Sequence, residues 1–137
     1  MTVMQGNAGY ARGASAYARV GVESSVMSAS PHQLIVMLFD GAQAAIRAAR
    51  LHLQDGRIEA RGESISRALN IINNGLRAAL DIERGGEIAT RLDSLYDYIS
   101  TRLIEANLRR DMAALDECDH LIEEIASAWR EIGSTTN

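Results

Sequence analysis

A glutamate and a histidine three positions apart on a helix can bind a metal ion, and Glu117 and His120 form such a pair. Di-iron helical bundles use two pairs of this kind, together with a glutamate from each of two further helices. This sequence offers a single pair, which lies beside the apolar seam of its helix and not on it. Because long charged side chains usually remain exposed, we interpret Glu117 and His120 as surface residues and predict neither a metal nor another cofactor.

A second candidate for chemistry is His52, which is followed by Asp55 and Gly56. Histidine phosphotransfer domains are also four-helix bundles, and their histidine is followed by Lys three positions later and Gly four positions later. Gly56 fits this pattern, but the carboxylate of Asp55 would repel a phosphoryl group. His52 also lies where its helix is expected to end, next to the negative end of the helix dipole. A phosphotransfer domain and a metal-binding bundle stay as alternatives to the function inferred below.

The remaining nucleophile is Cys118, which falls on the apolar face of the last predicted helix. A thiol in such a position is neutral and unreactive. The spacing of Ser, His and Asp residues suggests no catalytic grouping, and Gly85-Gly86 is too short for a phosphate-binding loop. We therefore expect a protein that is not an enzyme.

Composition and charge exclude further kinds of protein function. The 137 residues fit one domain. The net charge of −4 argues against a nucleic-acid partner, since phosphate binding needs a basic surface. All 14 basic residues are arginine, which excludes lysine-dependent chemistry. The sequence shows no signal-peptide core and no apolar run of membrane-spanning length, so we expect a cytoplasmic protein without membrane insertion.

The apolar periodicity predicts an all-α fold, an antiparallel up-down four-helix bundle. Residues 1–29 are rich in Gly, Ala and Ser, and we expect a flexible N-terminal arm in which residues 14–19 can form a short helix. Residues 30–132 are expected to form the bundle, and residues 133–137 a disordered tail. The predicted helices after the first cover about 57–80, 87–109 and 112–132, with a polar connection at 81–86.

The ends of the first helix carry the clearest local signals. Ser30 is a good N-cap, Pro31 suits the first helical position, and Gln33 completes a capping box. Gly56 is expected to stop this helix, and Asp111 is expected to cap the fourth.

The first helix has more apolar residues than a bundle needs. The six residues from Leu34 to Phe39 are all apolar and cover every side of the first turns. A bundle helix buries one stripe, so the rest is either covered permanently by the N-terminal arm or available to a partner helix. The third helix shows a milder excess at Leu95, Tyr96, Tyr98, Ile99, Leu103 and Ile104.

Several stretches resemble the FliS family, the flagellin-specific export chaperones. The first runs from Ser30 to Ala42, with Phe39 where the family usually has Tyr. The second is ERGGEIA, which begins at Glu83, and the third is LDSLYDYISTRLIEAN, which ends at Asn107. The fourth is Ala128-Trp129. The stretches occur in the family's order, and the resemblance as a whole covers about residues 16–132.

The resemblance implies a cytoplasmic chaperone that binds the disordered C-terminal segment of flagellin, prevents premature polymerisation and delivers it to the flagellar type III export gate. In this family flagellin wraps around an antiparallel helical bundle and forms helices in its apolar grooves. The implied partners are the flagellin C-terminal segment and a component of the export gate. The chaperone itself is expected to be a monomer or a weak homodimer.

The groove candidates follow from this resemblance and from the apolar excess. They are Ile35, Met37, Leu38, Phe39, Leu95, Tyr96, Tyr98, Ile99, Leu103 and Asn107. In the family, an N-terminal segment that carries a Tyr can cover the groove when flagellin is absent. Tyr17 is the better match for that role, because it lies shortly before the Ser-Pro motif, and Tyr10 is the second candidate.

Overall fold

The computed structural model describes residues 29–136, with side chains up to Gly133. Its helices are α1 (Pro31–Gln54), α2 (Ile58–Ile71), α3 (Ile82–Arg109) and α4 (Met112–Thr136), and a π-helical turn (Ile72–Leu76) continues α2. Between residues 29 and 136 there is no β-strand. The predicted N-terminal arm, with Tyr10 and Tyr17, lies outside the described residues.

The helices form a closed ring. Each packs against the next along the chain, and α4 returns to pack against α1. The short connections make these neighbours antiparallel, as expected for helices joined by a few residues. The predicted all-α, up-down four-helix bundle is confirmed.

The first helix begins and ends where its sequence predicts. The Ser30 hydroxyl accepts a hydrogen bond from the Gln33 backbone N–H at 3.1 Å, and the Gln33 side chain accepts one from the Ser30 N–H at 2.8 Å. This is the predicted capping box, with Pro31 in the first turn. Gly56 adopts a φ of 70°, a left-handed conformation that favours glycine and stops the helix.

The second helix differs from the single segment predicted over 57–80. It is α-helical to Ile71 and then widens into the π-helical turn, in which the Arg77 N–H donates to the Ile72 carbonyl at 2.7 Å. Gly75 lies in this turn, where a Cβ would come within 3.1 Å of the Leu38 side chain. The glycine permits the close approach of α1 to the end of α2.

The third helix begins earlier than predicted. The residues expected to form a polar connection start a helical turn at Ile82, capped by the Asp81 side chain, which accepts from the Arg84 N–H at 3.2 Å. Gly86 then breaks the helix with φ 56° and ψ −129°, so the turn before it meets the rest of α3 at a kink. The prediction of a connection over 81–86 was therefore correct only at Asp81, which caps the helix, and at the break at Gly86.

The fourth helix begins as predicted and extends further. The Asp111 carboxylate accepts from the Ala114 N–H at 3.2 Å, which confirms the cap. The helix continues to Thr136, so residues 133–136 are helical where a disordered tail was expected. Among the described residues, no helix combines the length and the apolar character needed to cross a membrane.

The core lies along the axis of the bundle and receives residues from all four helices. Its largest fully buried side chains are Leu38, Phe39, Ile46, Ile71, Ile72, Ile99, Leu103, Leu115, Ile122 and Cys118. The apolar residues of α4 recur at steps of three and four, which predicts a buried seam of Leu115, Cys118, Ile122, Ile125, Trp129 and Ile132. This seam is confirmed at Leu115, Cys118 and Ile122. It was wrong at Ile132, which is 53% exposed near the end of the helix.

Candidate functional site

Half of the predicted groove residues lie in the core. Leu38, Phe39, Tyr96, Ile99 and Leu103 are at most 3% exposed and belong to the central hydrophobic cluster. They therefore do not line an open groove in this packing, because α1 and α3 each contact two neighbouring helices and bury more than one face. Their contribution to flagellin binding stays a prediction.

The other predicted groove residues reach the surface. Tyr98 is 43% exposed, and Ile35, Met37, Leu95 and Asn107 are partly buried. In the first turns of α1, the whole run from Leu34 to Met37 is partly buried. The apolar excess of this helix is thus real, and part of it remains accessible after the bundle has formed.

An apolar cleft adjoins the start of α1. It has a volume of about 380 Å³ and is lined by Pro31, His32, Ile35, Ala79 and Trp129. These residues come from the start of α1, the turn that follows the π-helical segment, and the last turns of α4. Sequence reasoning found only Ile35 as a surface residue, since the spacing of Trp129 placed it on the α4 seam.

One wall of the cleft is a stack of two rings from opposite ends of the chain. The His32 and Trp129 rings have centroids 5.0 Å apart and planes inclined by 8°. The Trp129 Nε1–H donates to the His32 carbonyl at 3.2 Å, and the His32 Nε2 lies 2.7 Å from the Trp129 carbonyl. Because a carbonyl can only accept, Nε2 is the donor in this hydrogen bond. Both rings are therefore fixed in position by the backbone of the other helix.

Gly133 completes this wall. A Cβ at this position would overlap the His32 ring, so only glycine allows the imidazole to lie against α4. No sequence pattern pointed to the contact, because the two residues are about a hundred positions apart.

A charged cluster joins α3 to α4 beside Tyr98. The Tyr98 hydroxyl donates to Glu117 at 2.7 Å, and Arg102 Nε donates to the other carboxylate oxygen at 2.8 Å. These two hydrogen bonds hold the pKa of Glu117 below its ordinary value of 4.5. The bond from Tyr98 has the larger effect and the bond from Arg102 the smaller. Glu117 therefore holds α3 and α4 together as a carboxylate.

The residues first considered for chemistry are separated from one another. Glu117 bonds Tyr98 and Arg102, whereas His120 lies 3.2 Å from Glu124 on the exposed side of α4. Between residues 29 and 136, no group of three potential ligands is placed to hold a metal ion. His52 lies in the last turn of α1, as predicted.

The Cys118 thiol is fully buried and faces the Ile99 carbonyl at 3.6 Å. Burial raises its pKa to about 12, so the thiol is neutral at physiological pH. This agrees with the inert core thiol predicted from its position on the seam.

Asn107, the last predicted groove residue, binds an arginine that sequence reasoning missed. Arg61 donates from Nε to the Asn107 side-chain oxygen at 2.9 Å and from Nη2 to the Asn107 carbonyl at 3.2 Å. This contact ties the first turns of α2 to the last turn of α3. The two residues are too far apart in sequence for any local pattern to reveal it.

The sequence is similar to known proteins of one family. The model of the family described as "Flagellar protein FliS" matches residues 13–136. The "Flagellar secretion chaperone FliS" of Salmonella typhimurium is 59% identical over 122 residues, which cover 89% of this chain and 90% of that protein. The protein of the same name from Escherichia coli is 50% identical over 121 residues, covering 88% and 89% of the two chains. That of Vibrio cholerae is 40% identical over 117 residues, covering 85% of each. The chain belongs to the FliS family of flagellar secretion chaperones.

Proposed function

We propose that this chaperone binds the disordered C-terminal segment of flagellin in the cytoplasm, prevents its premature polymerisation and delivers it to the flagellar type III export apparatus. The observation that carries the proposal is the apolar cleft beside Ile35 and Trp129. A preformed apolar cleft on a helical bundle suits the apolar face of an amphipathic client segment. The accessible residues of α1 and α3 add partly exposed positions outside the cleft.

The accessible candidates and the buried ones have different roles in this proposal. Ile35, Met37, Leu95, Tyr98 and Asn107 contact the client directly. The buried candidates set the spacing of α1 and α3 and so shape the surface from below: Leu38, Phe39, Tyr96, Ile99 and Leu103.

The proposed mechanism explains how a large contact can still release its client. A disordered segment loses conformational entropy when it folds on the chaperone, and this loss offsets part of the free energy gained by burying apolar surface. The client is thereby kept from polymerising without being held too tightly for export.

The N-terminal arm supplies a competitor for the same cleft. The predicted arm, residues 1–29, is followed by Ser30, the N-cap of α1, and the first turn of α1 lines the cleft. Only a short stretch of chain separates Tyr17 from Pro31. At about 3.3 Å per residue when extended, this stretch is long enough for Tyr17 to reach the cleft beside Pro31. We propose that Tyr17, with Tyr10 as the alternative, covers the cleft when the client is absent.

The remaining properties follow from the chaperone role. We propose that the protein needs no cofactor, has no catalytic activity and is a monomer or a weak homodimer when free. Its partners are flagellin and a component of the export gate, and nucleic acid and the membrane interior are not among them.

Calorimetric titration with flagellin tests the proposal. Intact flagellin should bind, and flagellin that lacks about its last 40 residues, a length typical of segments that fold on binding, should not. Ile35→Asp should weaken binding because it places a charge at the cleft, whereas Ala44→Asp, on the exposed side of α1, is the matched control. Undiminished binding of the truncated flagellin would contradict the proposal.

A further inference from the structure

The first turn of α3 is a separate unit at the start of this helix. Residues 82–85 form one helical turn between two residues with non-helical backbone, Asp81 (φ −112°, ψ 95°) and Gly86 (φ 56°, ψ −129°). The positive φ of Gly86 is readily adopted by glycine and rarely by other residues. The direction of the turn is therefore set by torsion angles at these two positions. Residues 82–85 are called the entry turn below.

Local bonds to Asp81 hold the entry turn together. The Asp81 carboxylate accepts from the Arg84 N–H at 3.2 Å, and the Asp81 carbonyl accepts from the Gly85 N–H at 2.7 Å. An ion pair of 3.6 Å joins the Arg84 guanidinium to the same carboxylate. Because these bonds lie within the turn and its cap, the turn can change direction as a unit without breaking them.

The bundle leaves the entry turn uncovered. Every residue from 81 to 88 is exposed, and burial in α3 begins at Ala89, which is 4% exposed. Beyond the turn, the Thr90 hydroxyl donates to the Gly86 carbonyl at 3.0 Å, which anchors Gly86 to the helix that follows. A segment with exposed side chains and local hydrogen bonds is of the kind that moves at a low cost in free energy.

The entry turn adjoins the apolar cleft. Ala79, which lines the cleft, precedes Ile82 by three positions, so the two Cα atoms are at most about 11 Å apart. Ile82 is the apolar residue of the entry turn, and it is 46% exposed. It does not line the cleft in this structure. The turn thus holds an exposed apolar side chain close to a cleft that it leaves open.

We propose that the entry turn is a lid for the client cleft, which swings about Asp81 and Gly86 when the C-terminal segment of flagellin binds and packs Ile82 on the apolar face of that segment. This inference rests on the client site proposed above and adds the means by which the site retains its client. Closure of a lid slows dissociation more than it changes association. Reopening requires rotation only at Asp81 and Gly86, so the client leaves without unfolding of the bundle.

Dissociation kinetics with the full-length chaperone test the lid. A labelled peptide of about the last 40 residues of flagellin, a length typical of segments that fold on binding, is bound and then displaced by excess unlabelled peptide. Ile82→Asp should raise the dissociation rate about tenfold and leave the association rate within about twofold, because the charge opposes closure on an apolar surface. Ile88→Asp is the matched control, since this isoleucine is 71% exposed but follows Gly86, and its rates should stay unchanged.

The outcomes separate the lid from the client site. If the peptide binds and leaves the unmodified protein and Ile82→Asp at the same rate, the lid is wrong and the client site stands. An equal increase in dissociation from Ile88→Asp would likewise exclude a special role of the entry turn. Failure of the unmodified protein to bind the peptide would contradict the client site, and the lid with it.

Hydrogen exchange of the unmodified protein tests the lid without a variant. The Arg84 and Gly85 amides should exchange at least about tenfold more slowly when the peptide is saturating, because closure removes them from solvent. Unchanged exchange of these amides in the complex would overturn the lid. Slow exchange in the free protein that is lost on removal of residues 1–24 would show that the turn closes on the N-terminal arm, and would equally overturn the proposal.

Discussion

The Trp129 indole lies parallel to the His32 imidazole, and each residue is hydrogen-bonded to the backbone carbonyl of the other. The pair connects the first turn of α1 to the last turns of α4, and so closes the helical ring at the end where the described chain begins and ends. It also forms a wall of the apolar cleft. Stability and client binding are therefore expected to depend on the same two side chains.

Trp129→Ala should weaken both properties. The change removes the ring stack, the donor to the His32 carbonyl and partly buried apolar surface, so the free energy of unfolding should fall by about 2–3 kcal/mol. Trp129→Phe keeps a ring but loses the donor, and should cost about 1 kcal/mol. Urea denaturation measures both, and calorimetry with the flagellin segment measures binding. An alanine variant with unchanged stability and affinity would show that the wall has neither role.

Removal of residues 1–24 should raise the affinity for flagellin by about three- to tenfold, because a tethered competitor acts at a high effective concentration. The shortened protein still contains Ala29 and Ser30, so the cap of α1 is kept. Titration of both proteins with the same flagellin segment gives the comparison. Equal affinities would count against occlusion of the cleft by the arm. They would not count against the proposal that the protein binds flagellin.

Alanine at two glycines should have opposite effects on stability. Gly62→Ala should raise the free energy of unfolding by about 0.5–1 kcal/mol, since alanine favours the helix and its Cβ would meet only the Asn107 amide nitrogen at 4.0 Å, an ordinary contact. Gly75→Ala should lower it by about 1 kcal/mol or more, because its Cβ would come within 3.1 Å of the Leu38 side chain. Chemical denaturation of the two variants side by side provides the measurement. A change of the same sign in both would refute the packing described for these positions.

Acid should remove a contribution of Glu117 to stability. The folded-state pKa of this carboxyl lies below the 4.5 of an ordinary glutamate, with the Tyr98 hydrogen bond as the largest cause. A lowered pKa means that the stabilisation is present above about pH 4.5 and is lost as the pH falls through the folded-state value. Tyr98→Phe should therefore show a smaller loss of stability between pH 7 and pH 3 than the unmodified protein. Urea midpoints of each protein at the two pH values provide the measurement, with Glu117→Gln as a reference that cannot titrate. Identical losses of stability in the unmodified protein, Tyr98→Phe and Glu117→Gln would exclude this contribution.

The sequence predicted the helices well where the signals are local. The capping box at Ser30 and Gln33, the stop at Gly56 and the cap at Asp111 each depend on residues within a few positions. The π-helical turn was missed because it depends on how α2 packs against α1 and α3. Asn73 within it, for example, donates to Ser100 at 3.2 Å across the bundle.

The candidate site was predicted less completely. A helical wheel shows that the start of α1 is apolar on every side, but it cannot show which side meets a neighbour. Leu38 and Phe39 are buried, whereas Ile35 lines the cleft. The pairing of His32 with Trp129 joins distant parts of the chain, so only the folded structure reveals it.

The single thiol of this chain has a practical consequence. Cys118 is buried and uncharged at neutral pH, so a maleimide dye will not modify it while the protein is folded. A cysteine introduced at the exposed Leu108 would then be the one labelled position. The native background already suits single-site labelling, and energy transfer from such a dye could follow the chaperone and its cargo without removal of the natural cysteine.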